Sequence, residues 1–394
     1  MKGVIGDFFD VKGGKRLPKG QSFESMPTKY PYLRVVDFKR NSLDQSGIRY
    51  ISDEVFKKIR KYTISSEDVY ISIAGTIGVA GIIPHELNGA NLTENAAKIS
   101  PKEGIKVNQK YLSYFLNSSH IQSVIKSKTM AVGVPKLALF RIKEIPVSLP
   151  PLETQKKIAS ILDAADAYRQ KTKALIQKYD ELTQSLFLEM FGDPVTNSKG
   201  WPIHQINKVC SKVTDGTHDT PSRIDHGERF ITGKHIRPYK IDFDSSDFVA
   251  LEVHREIFRR CNPEYGDVLY TNIGANVGTA AFNNVRYEFS MKNVALFKPL
   301  KTDLNGRFLE YFLNSENMKE EVIRIASLGG AQKFLSLKDL RKLKVALPPI
   351  EIQNDFEVRI EKIEKQKVQA QESLEKAEEL FSSLLQRAFK GELV

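Results

Sequence analysis

Cysteine is nearly absent: Cys210 and Cys261 are the only two in 394 residues, which excludes a disulfide framework and any cysteine-rich metal site. Seven histidines are present, but none has the HExxH spacing of a zinc helix, so no metal is expected in this chain. Long apolar runs are missing too. The most hydrophobic stretch, Val69 to Ile83, falls short of the about 20 residues that cross a bilayer, and three glycines interrupt it. The N-terminal apolar run is short and broken by Asp7, so no signal peptide is expected and the chain reads as cytoplasmic. Acidic residues are in deficit, 48 against 59 basic ones, for a formal net charge of +11. An excess of that size favours a polyanion. With no membrane-type segment, nucleic acid is a better candidate than an anionic bilayer.

What is present is a duplication. Asp68-Val-Tyr-Ile-Ser-Ile-Ala-Gly-Thr-Ile-Gly78 returns, with one insertion, as Asp267-Val-Leu-Tyr-Thr-Asn-Ile-Gly-Ala-Asn-Val-Gly278. Tyr111-Leu-Ser-Tyr-Phe-Leu-Asn-Ser118 returns as Phe308-Leu-Glu-Tyr-Phe-Leu-Asn-Ser315, 197 residues on. Leu149-Pro-Pro-Leu-Glu-Thr-Gln155 and Ser185-Leu-Phe-Leu-Glu-Met-Phe191 both return after 198. Blocks that keep their order and spacing mark a tandem repeat of one structural unit. Each copy opens with a mixed part rich in Gly, Thr, Val and aromatics, in which short strand-like runs (Asp68 to Ile73, Gly266 to Thr271, Val294 to Phe297) alternate with helical patterns. Tyr111, Tyr114, Phe115 and Phe308, Tyr311, Phe312 recur at i, i+3, i+4, the face of a helix, and read as core rather than as a base-stacking platform.

The second part of each copy is helical throughout. The first such stretch is bounded by Pro150-Pro151 and by Gly192-Asp-Pro194, a proline start and a glycine–proline stop. Inside it Ile158, Leu162, Ala165, Arg169, Thr172, Ile176, Tyr179, Thr183, Leu186 and Met190 alternate by four and three. Phe356, Ile360, Ile363, Lys367, Ala370, Leu374, Ala377, Phe381, Leu384 and Ala388 do the same 198 residues later. A 4,3 seam of nearly five heptads predicts a coiled coil, and since neither helix can bury its stripe alone, the two are expected to pair. Arg169 and Lys367 put a base in each seam, to fix register or to snorkel.

The order of parts, and the phrases Leu149-Pro-Pro-Leu-Glu-Thr-Gln155, Met190-Phe-Gly-Asp-Pro194, Asp215-Gly-Thr-His-Asp-Thr-Pro221 and Ser383-Leu-Leu-Gln-Arg-Ala-Phe-Lys-Gly-Glu-Leu393, resemble the specificity subunits of type I restriction–modification systems over the whole chain. The resemblance implies an α+β architecture with two similar target-recognition domains (1–149 and 193–347), a central conserved helix (150–192) and a C-terminal one (348–394). It implies an antiparallel coiled coil with internal pseudo-twofold symmetry. It also implies a non-catalytic DNA-binding role: each domain reads half of an asymmetric bipartite duplex target, while the helices set the spacing and dock two methyltransferase subunits. S-adenosylmethionine, ATP and magnesium would belong to partners, the last two to a restriction–translocase subunit where one joins. An orphan or regulatory DNA-binding protein without a restriction partner is the alternative. One departure stands out: Gly200-Trp201-Pro202 precedes the second domain, whereas the first begins at Met1 without an equivalent, so its opening strand is expected to be shorter.

Candidate DNA contacts divide into those that position on phosphate and those that read base edges. For phosphate the candidates are Lys12, Lys15, Arg16, Lys19, Lys39 and Arg40, then Lys234, Arg237 and Lys292, with Lys136 and Lys333 at matching places in Gly-rich loops. For bases they are Arg34, Asp37, Thr76, Thr217, His218, His235, Asn276 and Gln332. The clusters Lys57, Lys58, Arg60, Lys61 and Arg255, Arg259, Arg260 suit a solvated helix face as well as a phosphate rail. Two motifs mislead. Asn262-Pro-Glu-Tyr265 lacks the second proline of the adenine-methyltransferase loop. Gly227 to His235 has the wrong glycine spacing for a P-loop and ends in histidine. With no nucleophile elbow either, no catalytic residue is nominated.

Overall fold

The computed structural model describes residues 1–129, 135–274, 276–327 and 334–393. It divides into two compact units, Met1–Lys173 with Glu372–Val394, and Ala174–Gln371. Each unit therefore takes one end of both long helices, and the cut falls inside the helices.

In the first unit, Phe9–Gly13, Ala96–Pro101, Val69–Ser72 and Ala80–Gly81 form an antiparallel sheet in that order. A second sheet runs Arg49–Tyr50, Pro31–Leu33, Ala90–Leu92, Thr63–Ile64, its middle pair parallel. The second unit repeats the plan with Cys210–Asp215, Ala295–Pro299, Val268–Tyr270 and Ala280–Phe282, beside a three-stranded sheet of Asp247–Val249, Glu228–Thr232 and Ser290–Lys292. An opening ribbon closes each unit: Lys2–Val4 on Pro146–Ser148 and Ile203–Gln205 on Lys344–Ala346. Both ribbons pair three residues, so the expectation of a shorter opening strand in the first domain is corrected. Three residues suffice for that pairing, and they need no tryptophan ahead of them.

The repeated phrases are the joints of this plan. Asn117 and Asn314 end equivalent helices, Gln109–Asn117 and Gly306–Asn314. Each clamps a strand residue from both sides: the Asn117 amide accepts from Ala80 N–H at 3.3 Å and donates to Ala80 O at 2.7 Å, and Asn314 does the same to Ala280 at 3.1 and 2.8 Å. Gln155 and Gln353, buried at the starts of the long helices, accept from Asn108 N–H and Asn305 N–H at 2.9 Å. Half-buried lysines pair with buried aspartates, Lys98 with Asp68 (3.2 Å) and Lys298 with Asp267 (2.6 Å), at the entry to the third strand of each antiparallel sheet. A buried amide is tolerated only when its donors and acceptors are matched, which accounts for these side chains appearing twice. Tyr111, Tyr114, Phe115, Phe308, Tyr311 and Phe312 are all buried in the two cores, as the helical spacing predicts.

The long helices span Leu152–Phe191 and Ile350–Lys390, each roughly 60 Å at 1.5 Å per residue. The first begins behind its prolines and stops at Gly192, whose φ of 76° is left-handed. Along the predicted seam Ile158, Leu162, Thr172, Thr183, Phe356, Ile360, Ala370, Ala377, Phe381 and Ala388 are buried. Ala165, Ile176, Tyr179, Leu186, Met190, Ile363, Leu374 and Leu384 are half-buried, and none is exposed. Within the first unit Arg169 stacks over Phe381 at 4.4 Å while Lys173 meets Glu378 at 2.8 Å. Within the second, Asp180 pairs with Lys367, and Phe191 lies edge-on to Phe356 at 5.2 Å. Ascending residues of one helix meet descending residues of the other, so the packing is antiparallel. The two seam bases stay there by pairing, Arg169 with Asp166 and Lys367 with Asp180.

Candidate nucleic-acid interface

In each antiparallel sheet the first and third strands leave at the end where the second enters, so three loops converge there. In the first unit Gly14 N–H donates to Ala96 O (3.0 Å), Ile73 N–H to Asn95 O (2.8 Å) and Leu137 N–H to Ile73 O (2.9 Å). In the second, Gly216 N–H donates to Val294 O (3.0 Å), Thr217 N–H to Met291 O (2.9 Å) and Leu335 N–H to Asn272 O (2.8 Å). Bridges Ala74–Lys136 and Ile273–Phe334 tie the segment after the third strand to the residues just ahead of Leu137 and Leu335. Glycine is required at the convergence: a Cβ on Gly14 would stand 2.1 Å from Thr93 O, and one on Gly216 2.0 Å from Met291 O.

This convergence gathers Lys15, Arg16, Thr76 and Lys136 in one unit and Thr217, His218, Asn276 and Lys292 in the other. Thr76 and Asn276 are exposed. Their backbone carbonyls accept from the buried Ser72 and Thr271 hydroxyls, which also accept from Val79 N–H (2.9 Å) and Thr279 N–H (3.0 Å). A hydroxyl clamp on the main chain fixes the loop and turns the side chain outward. Arg16 is exposed, and its Nε donates to Glu94 at 2.7 Å. Burial would raise the Glu94 carboxyl, but bonds from Arg16 and Thr93 hold it below its ordinary value. His218 occupies the matching place, two residues past Gly216, with Nε2 3.0 Å from Asp215 and Nδ1 2.9 Å from Asn293. Lys15 lies over the Tyr62 ring at 5.8 Å, and Lys292 pairs with the Thr220 hydroxyl.

The remaining candidates sit around the second sheet of each unit. Lys39 and Arg237, 198 residues apart, are both exposed, and Lys39 has a loose partner, Asp44, at 3.7 Å. Arg40 is exposed and lines a groove against the Ser119–Lys128 helix. Lys234 pairs with Asp247 at 3.1 Å. Arg34 is pinned by Asp37 (2.8 Å) and Gly47 O (2.7 Å).

Three expected base readers are corrected. Asp37 is buried and accepts from Arg34 N–H at 2.8 Å, closing a short helical turn. His235 fills the same role 198 residues on: its Nδ1 accepts from Thr232 N–H at 2.9 Å. Burial, helped by Lys234, lowers its proton affinity and so favours that neutral acceptor. Thr217 is buried too, its hydroxyl accepting from Asp219 N–H. All three belong to the scaffold. Gln332 and Lys333 lie outside the described residues. Sequence reasoning missed Glu94 and Asn293, although they stand at matching places just ahead of the central strand in both copies.

The misleading motifs resolve into ordinary structure. Asn262 is the left-handed cap (φ 36°) of the helix Leu251–Cys261, and Gly227 to His235 is a strand followed by a helical turn. Lys57 and Lys58 pair with Asp53 and Glu54 one turn back, and Arg260 with Asp215. His254 contacts Ser290 (3.0 Å) and Glu288 (3.2 Å), but Ser290 is fully buried and no substrate could reach it. Among the described residues no three His, Cys, Asp or Glu converge as metal ligands, and no helix is long and apolar enough to cross a membrane.

Comparison with known proteins places this geometry in a family. The family model of the type I restriction modification DNA specificity domain matches residues 1–184 and 224–377. The chain is similar to the EcoKI specificity subunit of Escherichia coli (strain K12), 22% identical over 96% of this chain and 86% of that one. It is likewise similar to the MjaVIII specificity subunit of Methanocaldococcus jannaschii, 24% identical over 97% and 90%. Among solved structures, the type I restriction–modification S subunit of M. genitalium shares its fold at a TM-score of 0.59 and 15% identity, over 98% of this chain and 95% of that one. A chain from a study of type I complex assembly and conformational transition matches at 0.61 and 17%, over 100% and 98%.

Proposed function

The chain belongs to the family of the type I restriction modification DNA specificity domain, and on that premise we propose that it is a non-catalytic reader of a bipartite duplex. Each unit reads one half-site through the loops at the end of its antiparallel sheet, and the long helices set the separation. The observation that carries this is the doubled convergence: two equivalent loop sets, built on Gly14 and Gly216, that hold different side chains at equivalent places, Arg16 and His218. Equal scaffolds with unequal side chains suit a target whose halves differ. The exposed cations Lys15, Lys39, Arg40, Lys136 and Arg237 supply the sequence-independent attraction to phosphate.

Methylation and cleavage then belong to other subunits, with S-adenosylmethionine, ATP and magnesium bound there and none in this chain. Two methyltransferase subunits dock on the helices, with a restriction–translocase subunit in the restricting form. In support, Ile161, Tyr168, Leu175 and Leu182 form a seven-residue repeat of exposed apolar side chains on the first long helix, off the seam. Co-expression with the cognate methyltransferase and genome-wide mapping of methylated adenines tests the reading. It expects one asymmetric bipartite motif, absent when either gene is deleted. A continuous or palindromic motif, or methylation by the purified chain alone, would refute it.

A further inference from the structure

Resting on that reading, we propose that Arg16 reads a guanine in the half-site of the first unit, with Glu94 as its positioning residue. The main chain beneath Arg16 is fixed: Gly14 and Lys15 N–H donate to Ala96 O (3.0 Å) and Leu92 O (2.8 Å), and the Tyr32 hydroxyl donates to Lys15 O (2.7 Å). The side chain is fixed at its neck. Glu94 takes Nε at 2.7 Å, and its other oxygen is held by the Thr93 hydroxyl at 2.9 Å. The two Nη groups have no bonding partner among the described residues, and the side chain is 77% exposed. An arginine held by Nε presents the Nη edge as a rigid two-pronged donor. The base edge with two adjacent acceptors in the major groove is guanine, through O6 and N7.

A phosphate is the competing acceptor, and charge decides against it. Arg16 and Glu94 together are neutral, and a carboxylate 2.7 Å from the guanidinium would repel the phosphate that the guanidinium attracted. Counterion release rewards net positive charge. A neutralised pair keeps only short-range, directional donors, which a base edge can use. Arg40 and Lys136, with no acidic partner among the described residues, are the phosphate type by the same criterion. At the equivalent address of the second unit His218 has both ring nitrogens engaged, so no fork is offered there and the two half-sites differ at this position.

The test is the methylome of cells carrying the full chain and its methyltransferase, as wild type, Arg16→Ala, Arg16→Lys, Glu94→Ala and Arg40→Ala. Wild type is expected to require a G·C pair at one position of one half-site. Arg16→Ala should lower discrimination at that pair alone by roughly 5- to 150-fold, with the other half-site read normally as an internal control for folding. Glu94→Ala should relax the same pair less, and Arg16→Lys should not restore it. In duplex binding, Arg40→Ala should reduce the log–log salt slope by about one, and Arg16→Ala should leave it unchanged. Uniform weakening with a reduced slope in Arg16→Ala, relaxation at an A·T pair, or no relaxation would overturn the assignment. Absence of any bipartite motif in wild type would overturn the reading of the whole chain instead.

Discussion

Two adjacent glycines should respond oppositely to the same substitution. Gly14→Ala places a Cβ 2.1 Å from Thr93 O and 2.2 Å from Leu92 O, whereas Gly13→Ala meets nothing nearer than Leu139 Cδ1 at 3.6 Å. To accept the Gly14 methyl the two backbones must part by about 1 Å, which breaks or stretches the Gly14–Ala96 and Lys15–Leu92 hydrogen bonds. Overpacking costs about 1–3 kcal/mol and each bond about 0.5–1.5, together roughly 2–6 kcal/mol. In a unit of this size that lowers the melting temperature by roughly 5–20 °C, while Gly13→Ala should stay within about 1 kcal/mol of wild type. Thermal unfolding of the full chain, with hydrogen exchange at residues 14–16 and 92–96, reads both. Because Arg16 moves with its loop, Gly14→Ala should also lose discrimination in one half-site and keep the other. Wild-type melting and exchange in Gly14→Ala would mean that these backbones do not approach so closely and that glycine does not build the site.

Asn314→Ala should destabilise the second unit by roughly 1–3 kcal/mol, because Ala280 N–H is left buried and unpaired while Ala280 O keeps Tyr239 N–H at 3.3 Å; a denaturant melt within error of wild type would contradict this. Burial pushes the Glu310 carboxyl from 4.5 up to about 7, against the pull of Arg307. The folded unit therefore holds a proton that the unfolded chain releases near pH 4.5, and the associated stability is intact below that pH and lost as pH rises through about 7. Glu310→Gln should accordingly gain on wild type in melting temperature between pH 4.5 and pH 8, and parallel profiles would show that Glu310 titrates as an ordinary carboxyl. Deleting one heptad at facing positions of both long helices shortens each by about 10 Å, about three base pairs of duplex. Methylome mapping should show the half-sites closer by that amount, and an unchanged spacer would refute the helices as the ruler.

The duplication, the bounds of both long helices, their seam and the aromatic cores were legible in the linear chain. Self-similarity and a 3.6-residue period are one-dimensional signals, carried by neighbours a few residues apart. The loop chemistry was legible only as residue type. Arg16 and Glu94 lie 78 residues apart and His218 and Asn293 75, and no local pattern says that they touch. Asp37, His235 and Thr217 looked like readers because capping and base recognition use the same side chains, and only burial separates the two uses. Sequence by itself determined that there are two like units, each followed by a heptad helix whose apolar stripe needs a partner, since a lone helix cannot bury it. Which cations are neutralised, which face outward and which support the backbone was decided by tertiary structure, because hydrogen bonding and charge act through space at about 3 Å, and the fold alone sets that distance.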